Sequence, residues 1–212
     1  MEEFQLHEYA GGIAMAYHVK PNGAQAAISI YSSGEVIYRQ GDPAGGLFSV
    51  TFGCVMLSRV TRTGNRQISG FFLPGETFGW ELEPEHRFSA ETVGTSSVQI
   101  HGPIHSPQAA EWRQSELVPS LTLLREQLMI LSQPTADSRV AAFLDDQLTR
   151  QHSAHRIQLP MHRFDIAEYL GLSPETVSRV LRRFGLMELI NAPSIHVIDV
   201  LYPEGLRKIC SR

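Results

Sequence analysis

The stretch from Arg163 to Arg183, RFDIAEYLGLSPETVSRVLRR, limits what this chain can become more than any other. It reads as two short helices joined by a tight turn. Ile166, Ala167 and Leu170 share one face of the first helix. Gly171 supplies a residue that tolerates a left-handed backbone where that helix must stop. Ser173 suits the N-cap of the second helix and Pro174 its first position, while Glu175 places an acid in its first turn. Val177 and Leu181, four apart, form its buried stripe with Val180 beside them. Arg179, Arg182 and Arg183 fall at i, i+3 and i+4 and gather on another side. Ala167 is small enough for two helices to cross. A plain αα-hairpin with an arginine-bearing face is the other reading. The cap, the glycine and the apolar spacing together favour a helix-turn-helix whose second helix enters a DNA major groove.

A net charge of −4 argues at first against nucleic acid. Phosphate contact depends on local clusters rather than on the average, and the second helix is locally basic. Non-specific affinity should then be modest and salt-dependent, with base-edge contacts carrying much of the discrimination. No segment approaches the apolar length of a membrane span, and MEEFQLHEYAGGIAM has no basic start followed by an apolar run. Cys54 and Cys210 give neither a disulfide framework nor a CxxC metal pair, so a cytoplasmic location is expected.

Taken in order, about 26 residues rich in Ala and Gly read as a loose arm or a first strand. From Ala27 to about His101, short apolar alternations are broken by turn residues. Strands are predicted around Ile28–Tyr31 and Val36–Tyr38, then one or two in LFSVTFGCVMLSRVT with Gly53 at the break. TRTGNRQ marks a hairpin, QISGFFLPGETFGWEL a strand and a Pro74-Gly75 turn, and FSAETVGTSSVQIH two more strands. This spacing suggests a sandwich or jelly roll.

After Pro107 the period lengthens. Leu117, Leu121, Leu124, Leu128 and Leu131 are spaced 4, 3, 4, 3, as in the a/d seam of a coiled coil. A helix is expected to start near Val118–Pro119 and to end before Pro134. Packing on its own domain would explain the seam too, but a homodimer suits a helix-turn-helix, since a twofold axis presents two recognition helices one DNA turn apart. Asp137 is the expected cap of a helix over SRVAAFLDDQLTRQ. HSAHRIQLPM is a connector with a short strand, and LINAPSIHVIDV reads as a small wing turning at Ala192-Pro193-Ser194, with few phosphate contacts because its strands lack Lys and Arg.

These phrases together resemble the CRP/FNR family of transcription regulators, FixK-like branch. The likeness spans about residues 28 to 200: Gly34-Glu35-Val36-Ile37-Tyr38 with Gly41-Asp42, Leu47-Phe48 with Gly53, Arg66-Gln67-Ile68, Pro74-Gly75-Glu76 with Phe78-Gly79, and His86-Arg87-Phe88-Ser89-Ala90-Glu91. Ser138-Arg139-Val140-Ala141-Ala142-Phe143-Leu144 is similar to the start of the family's DNA-binding domain, and Glu175-Thr176-Val177-Ser178-Arg179 to its E-x-x-S-R helix. The resemblance implies an α+β chain. Its parts would be a cyclic-nucleotide-binding-like β jelly roll over 1–110, a long dimerisation helix over 111–134 and a winged helix-turn-helix over 135–212.

By that resemblance Glu175 and Arg179 read base edges, and Ser178 helps to separate FNR-type from CRP-type sites. The target would be an inverted repeat of TTGAT and ATCAA half-sites. Pro174 stands where relatives often carry an aliphatic residue, which opens the outermost base preference. Arg182 and Arg183 are either phosphate contacts or solvated charges. Activation would proceed through contact with RNA polymerase, in oxygen-limitation, nitrogen-fixation or nitrogen-oxide gene control.

Departures from the family bear on the effector. Cyclic-nucleotide sensors carry a Glu and an Arg where this chain has Trp80 and Phe88, and an apolar ring offers an anionic phosphate nothing. Two cysteines in the chain cannot supply the usual ligands of an iron–sulfur cluster. No cofactor is therefore expected. A haem- or nitric-oxide-responsive regulator is the alternative, although His101, His105, His152 and His155 lack partners at ligand spacing. A cupin-like metal-dependent enzyme would need clustered His and Glu on facing strands between residues 30 and 100, and none is evident, so no catalysis is expected.

Overall fold

The computed structural model describes residues 16–19, 25–101 and 107–210. The chain divides into two compact units, Met1–Thr122 and Leu123–Arg212.

The first unit is a jelly roll of two antiparallel sheets. One sheet contains β1 (Ala16–Val19), β2 (Gln25–Tyr31), β4 (Phe48–Phe52), β7 (Thr77–Phe78) and β9 (Ser96–Ile100), in the order β1-β2-β9-β4-β7. The other contains β3 (Val36–Tyr38), β5 (Val55–Val60), β6 (Arg66–Phe72) and β8 (Ser89–Thr92), in the order β3-β8-β5-β6. Alternation along the strands aims Tyr38, Val50, Val55, Phe78, Ala90 and Val98 into one core between the sheets. The predicted strands are all present, and β1 with the start of β2 lies within the weakly patterned N-terminal stretch. The rest of that stretch, and His105, fall outside the described residues.

Gly53 separates β4 from β5, so LFSVTFGCVMLSRVT forms two strands. Its φ of +84° belongs to the left-handed region, and a methyl group there would sit 2.6 Å from the Thr95 carbonyl oxygen and 2.7 Å from the Ser96 Cα. Glycine is required at this break for both reasons. Cys54 follows it, fully buried.

His86 anchors the segment after β7 to the turn after β3. Its backbone N–H donates to the Asp42 carbonyl and its carbonyl accepts from Gly41, both at 2.8 Å. The ring stacks on Tyr38 with centroids 3.6 Å apart and planes at 10°, and Nδ1 lies 3.7 Å from Glu81 Oε1. Burial pushes the imidazole pKa below its ordinary value of 6.5, while Glu81 and then Asp42 pull the other way. The unfolded chain thus takes up this proton at a higher pH than the folded one. Stability present above pH 6.5 is lost as pH falls below it. The thermal midpoint is expected to drop between pH 7 and pH 5, and His86→Gln to flatten that profile. An unchanged profile in the variant would assign the acid sensitivity elsewhere.

The long helix α1 spans Pro107–Leu131 and runs through Pro119 rather than starting there. Its first half carries no apolar stripe, so tertiary contacts hold it. Trp112 stacks on His101 with centroids 3.7 Å apart, and Thr77 Oγ1 donates to Glu116 Oε2 at 3.0 Å.

The second unit contains α2 (Ala136–Arg150), β10 (Arg156–Gln158), α3 (Arg163–Leu170), α4 (Pro174–Leu186), β11 (Ile190–Ser194), β12 (Val197–Val200) and α5 (Pro203–Cys210). The sheet order is β10-β12-β11. Thr135, not Asp137, caps α2. Its side chain accepts from the Ser138 N–H at 3.0 Å while Ser138 Oγ accepts from the Thr135 N–H at 3.1 Å, a reciprocal box. The wing turns at Ile195-His196, because Ala192-Pro193-Ser194 continues β11; Pro193 is tolerated on this edge strand at an irregular register. Helix α5, not expected from the pattern, docks through the fully buried Leu206.

Candidate nucleic-acid interface

Helix α3 buries Ile166, Ala167, Tyr169 and Leu170, and Ala167 is small and buried at the crossing with α4. Gly171 takes φ +65°, and the Leu172 N–H closes the helix by donating to the Ala167 carbonyl at 2.9 Å. Arg139, thirty-one residues upstream of Leu170, locks this end. Its Nη1 donates to the Leu170 carbonyl at 2.9 Å, and its Nε and Nη2 donate to the Gln133 carbonyl at 3.3 and 3.1 Å.

Helix α4 begins as its residues dictate. Ser173 Oγ accepts from the Thr176 N–H at 3.1 Å, Pro174 takes the first position and Glu175 lies in the first turn. Val177, Val180, Leu181 and Phe184 are buried. The opposite face presents Glu175, Ser178, Arg179, Arg182 and Arg183 to solvent, with Pro174 half-buried at its start. Nη2 of Arg179 donates to Thr176 Oγ1 at 3.1 Å, which holds the guanidinium along the helix. Arg183 is engaged differently. Its Nη1 lies 2.7 Å from Asp137 Oδ2, tying α4 to α2.

The row Glu175, Ser178, Arg179 has the chemistry of base reading. An Arg can donate two bonds to guanine O6 and N7, a Glu can accept from cytosine N4, and a Ser hydroxyl can do either. The wing adds no Lys or Arg on β11 or β12, and Asp199 is paired with Arg156 of β10 at 2.6 Å.

On α1, Gln127 and Ile130 turn inward while the leucine row faces out. Leu117, Leu121, Leu124, Leu128 and Leu131 are 46, 56, 50, 58 and 37% exposed, a row of apolar side chains along one helix. In the jelly roll, Phe88 lies half-buried with the Arg59 guanidinium 5.6 Å from its ring centre, and the indole Nε1 of Trp80 is buried with no hydrogen-bond partner. Among the described residues no three His, Cys, Asp or Glu side chains gather as metal ligands would. Nor is any described helix long and apolar enough to cross a membrane.

The sequence reading missed three supporting residues: Arg139, Thr176 and Asp137 as the partner of Arg183. Thr176 alone had a local signal, since it sits three residues before Arg179 on the same helix face.

Known proteins match over the same two regions. The model for the cyclic nucleotide-binding domain matches residues 28–100, and that for the Crp-like helix-turn-helix domain matches residues 138–209. The nitrogen fixation regulation protein FixK of Rhizobium meliloti is 34% identical over 191 residues, 90% of either chain. The transcriptional activator protein Anr of Pseudomonas aeruginosa is 37% identical over 189 residues, 78% of this chain and 74% of that protein. The structure of FixK2 from Bradyrhizobium japonicum is similar at a TM-score of 0.78 and 31% identity, over 87% of this chain and 96% of that one.

Proposed function

Because the chain belongs to the CRP/FNR family of transcription regulators, we propose that it acts as a homodimeric activator at an inverted repeat of TTGAT and ATCAA half-sites. One observation carries this reading: a capped α4 with a fully apolar inner face presents Glu175, Ser178 and Arg179 together to solvent.

In this reading residues 1–110 form the jelly-roll part, 111–134 the dimerisation helix and 135–212 the DNA-binding part. Leu117, Leu121, Leu124, Leu128 and Leu131 meet their symmetry mates, and two α4 helices enter major grooves one DNA turn, about 34 Å, apart. Arg179 donates to guanine, Glu175 accepts from cytosine, Ser178 sets the half-site class, and Pro174 lies nearest the outermost base. Arg182 and Arg183 contact phosphate or remain solvated charges, and Arg183 also ties α4 to α2 through Asp137. Bending at flexible base steps adds indirect readout.

The protein works in the cytoplasm without cyclic nucleotide, haem or iron–sulfur cluster and recruits RNA polymerase. Its control comes from its own abundance under an upstream sensor of oxygen limitation, nitrogen fixation or nitrogen oxides. Catalysis has no place in this reading, and the relatives are themselves named as regulators.

The direct test is titration of purified protein against a TTGAT/ATCAA palindrome and a half-site-scrambled duplex at fixed salt. It is run with and without added cyclic nucleotide or haem. Selective binding without additive is the expected result. Selectivity that appears only with an additive would move sensing into the jelly roll, and no selectivity under any condition would reject the operator.

A further inference from the structure

We infer that Arg139 is a positioning residue for DNA recognition: it ties the last turn of α1 to the turn between α3 and α4, so that a dimer of this chain accepts one spacing of half-sites and refuses its neighbours. The inference rests on the dimeric DNA-binding reading above but not on the particular operator.

Arg139 lies near the start of α2 and reaches a helix end on either side. On one side is the end of α1. The Ser132 N–H donates to the Leu128 carbonyl at 2.9 Å and the Gln133 N–H to the Ile130 carbonyl at 3.3 Å, while the Gln133 side chain donates to the Met129 carbonyl at 3.4 Å. The Gln133 carbonyl is thus a fixed continuation of that helix, and it accepts from Nε and Nη2 of Arg139 at 3.3 and 3.1 Å. On the other side, Nη1 donates at 2.9 Å to the carbonyl of Leu170, the last residue of α3. A methyl group on Gly171 would lie 3.7 Å from Nη1, so the guanidinium rests against the turn itself. All of these residues belong to the second compact unit.

The chemistry suits a joint. The C-terminal end of a helix carries unpaired carbonyls and partial negative charge. One guanidinium, always charged and planar, serves two such ends with three donors in fixed directions. Hydrogen bonds from a charged donor are about twice as strong as neutral ones. The tie from Arg183 to Asp137 is weaker by comparison, since its arginine is 53% exposed and screened by solvent. Along the backbone only Pro134 stands between Gln133 and Thr135, the cap of α2. A second point of attachment removes the swing that one covalent link would allow.

Spacing follows from that restraint. In a dimer joined along α1, the angle between α1 and α4 places each recognition helix relative to the twofold axis. One base pair added between half-sites carries the second of them about 3.4 Å along the duplex and about 34° around it. Two helices held at fixed angles engage one spacing, whereas helices on loose joints follow the shift.

The test titrates wild type, Arg139→Ala and Arg139→Lys against palindromes whose spacing varies in steps of one base pair, and against a duplex with a single half-site. Wild type should prefer one spacing over either neighbour by about tenfold or more, because a misplaced second half-site forfeits joint engagement. In Arg139→Ala that preference should shrink to about twofold, with single-half-site affinity as in wild type. Lysine keeps the charge without the planar fork and should not restore the preference. It also decides the matter if the alanine variant fails to fold. A wild-type preference in the variants, or equal losses on every duplex, would overturn the inference. A measurement without DNA stands beside this one. Spin labels on Glu126→Cys and Arg182→Cys, in a Cys210→Ser chain diluted with unlabelled protein, report the α1-to-α4 distance. One narrow distance is expected with Arg139 and a broadened one with Arg139→Lys; the same narrow distance in both would overturn the clamp. If wild type selects none of the duplexes, the operator is rejected and the label distances alone decide on Arg139.

Discussion

A chain carrying Leu124→Asp and Leu128→Asp is expected to sediment as a monomer and to lose operator affinity by about a hundredfold or more. Both leucines are half-exposed or more in the single chain, so the substitutions leave each compact unit free to fold. Each apolar side chain buried at a seam contributes about 1.5–3 kcal/mol, and replacing two of them in each protomer removes that. The new carboxylates would face one another across a twofold axis, adding like-charge repulsion and the desolvation cost of unpaired charge. One half-site contact then remains where two were joined. Circular dichroism should show native helix content in the variant. If it still sediments as a dimer, the seam lies elsewhere.

Arg179→Ala is expected to cost about 1–3 kcal/mol on the palindrome and to relax base choice at one symmetric pair of positions. The guanidinium is exposed and held by Thr176, so truncation removes a reader without disturbing the buried stripe of Val177, Val180, Leu181 and Phe184. Random duplex should lose far less. Equal losses on both duplexes would reject base reading and make Arg179 a phosphate contact. Lysine at this position should rescue only part of the operator affinity, because an ammonium cannot form the planar two-bond fork.

Local chemistry made most of the DNA-binding unit readable. Gly171, Ser173 and Pro174 each take the backbone role their type prefers, so α3 stops and α4 starts where the sequence places them. The strands of the jelly roll were readable for the same reason, since turn residues mark each break. The readings that failed depended on distance. Residues 107–116 have no stripe, and Pro119 is a strong local stop signal, yet α1 runs through it, with its first half held by the stack of Trp112 on His101. Thr135 and Asp137 both can cap a helix, and the reciprocal bond with Ser138 decides between them. The pairing of Arg183 with Asp137 spans 46 residues, and the grip of Arg139 on Leu170 spans 31, separations over which no periodicity speaks. Helix α5 lacks the glycine and cap signals that mark α3 and α4, and its place comes from the buried Leu206 and from the pairing of Arg207 with Asp145 of α2.

The chain has two cysteines, and they fall in different compact units: Cys54 fully buried behind Gly53, Cys210 half-buried at the end of α5 with Sγ 3.8 Å from the Ser138 carbonyl oxygen. Burial, and then the charge of Asp145, raises the Cys210 thiol above its ordinary pKa, which slows its reaction in the docked state. With a thiol reagent at moderate concentration, the fully buried Cys54 is modified only as often as its surroundings open, whereas the half-buried Cys210 stays partly in reach. The unmodified protein therefore contains a built-in clock: the modification rate of Cys54 times the opening of the jelly roll.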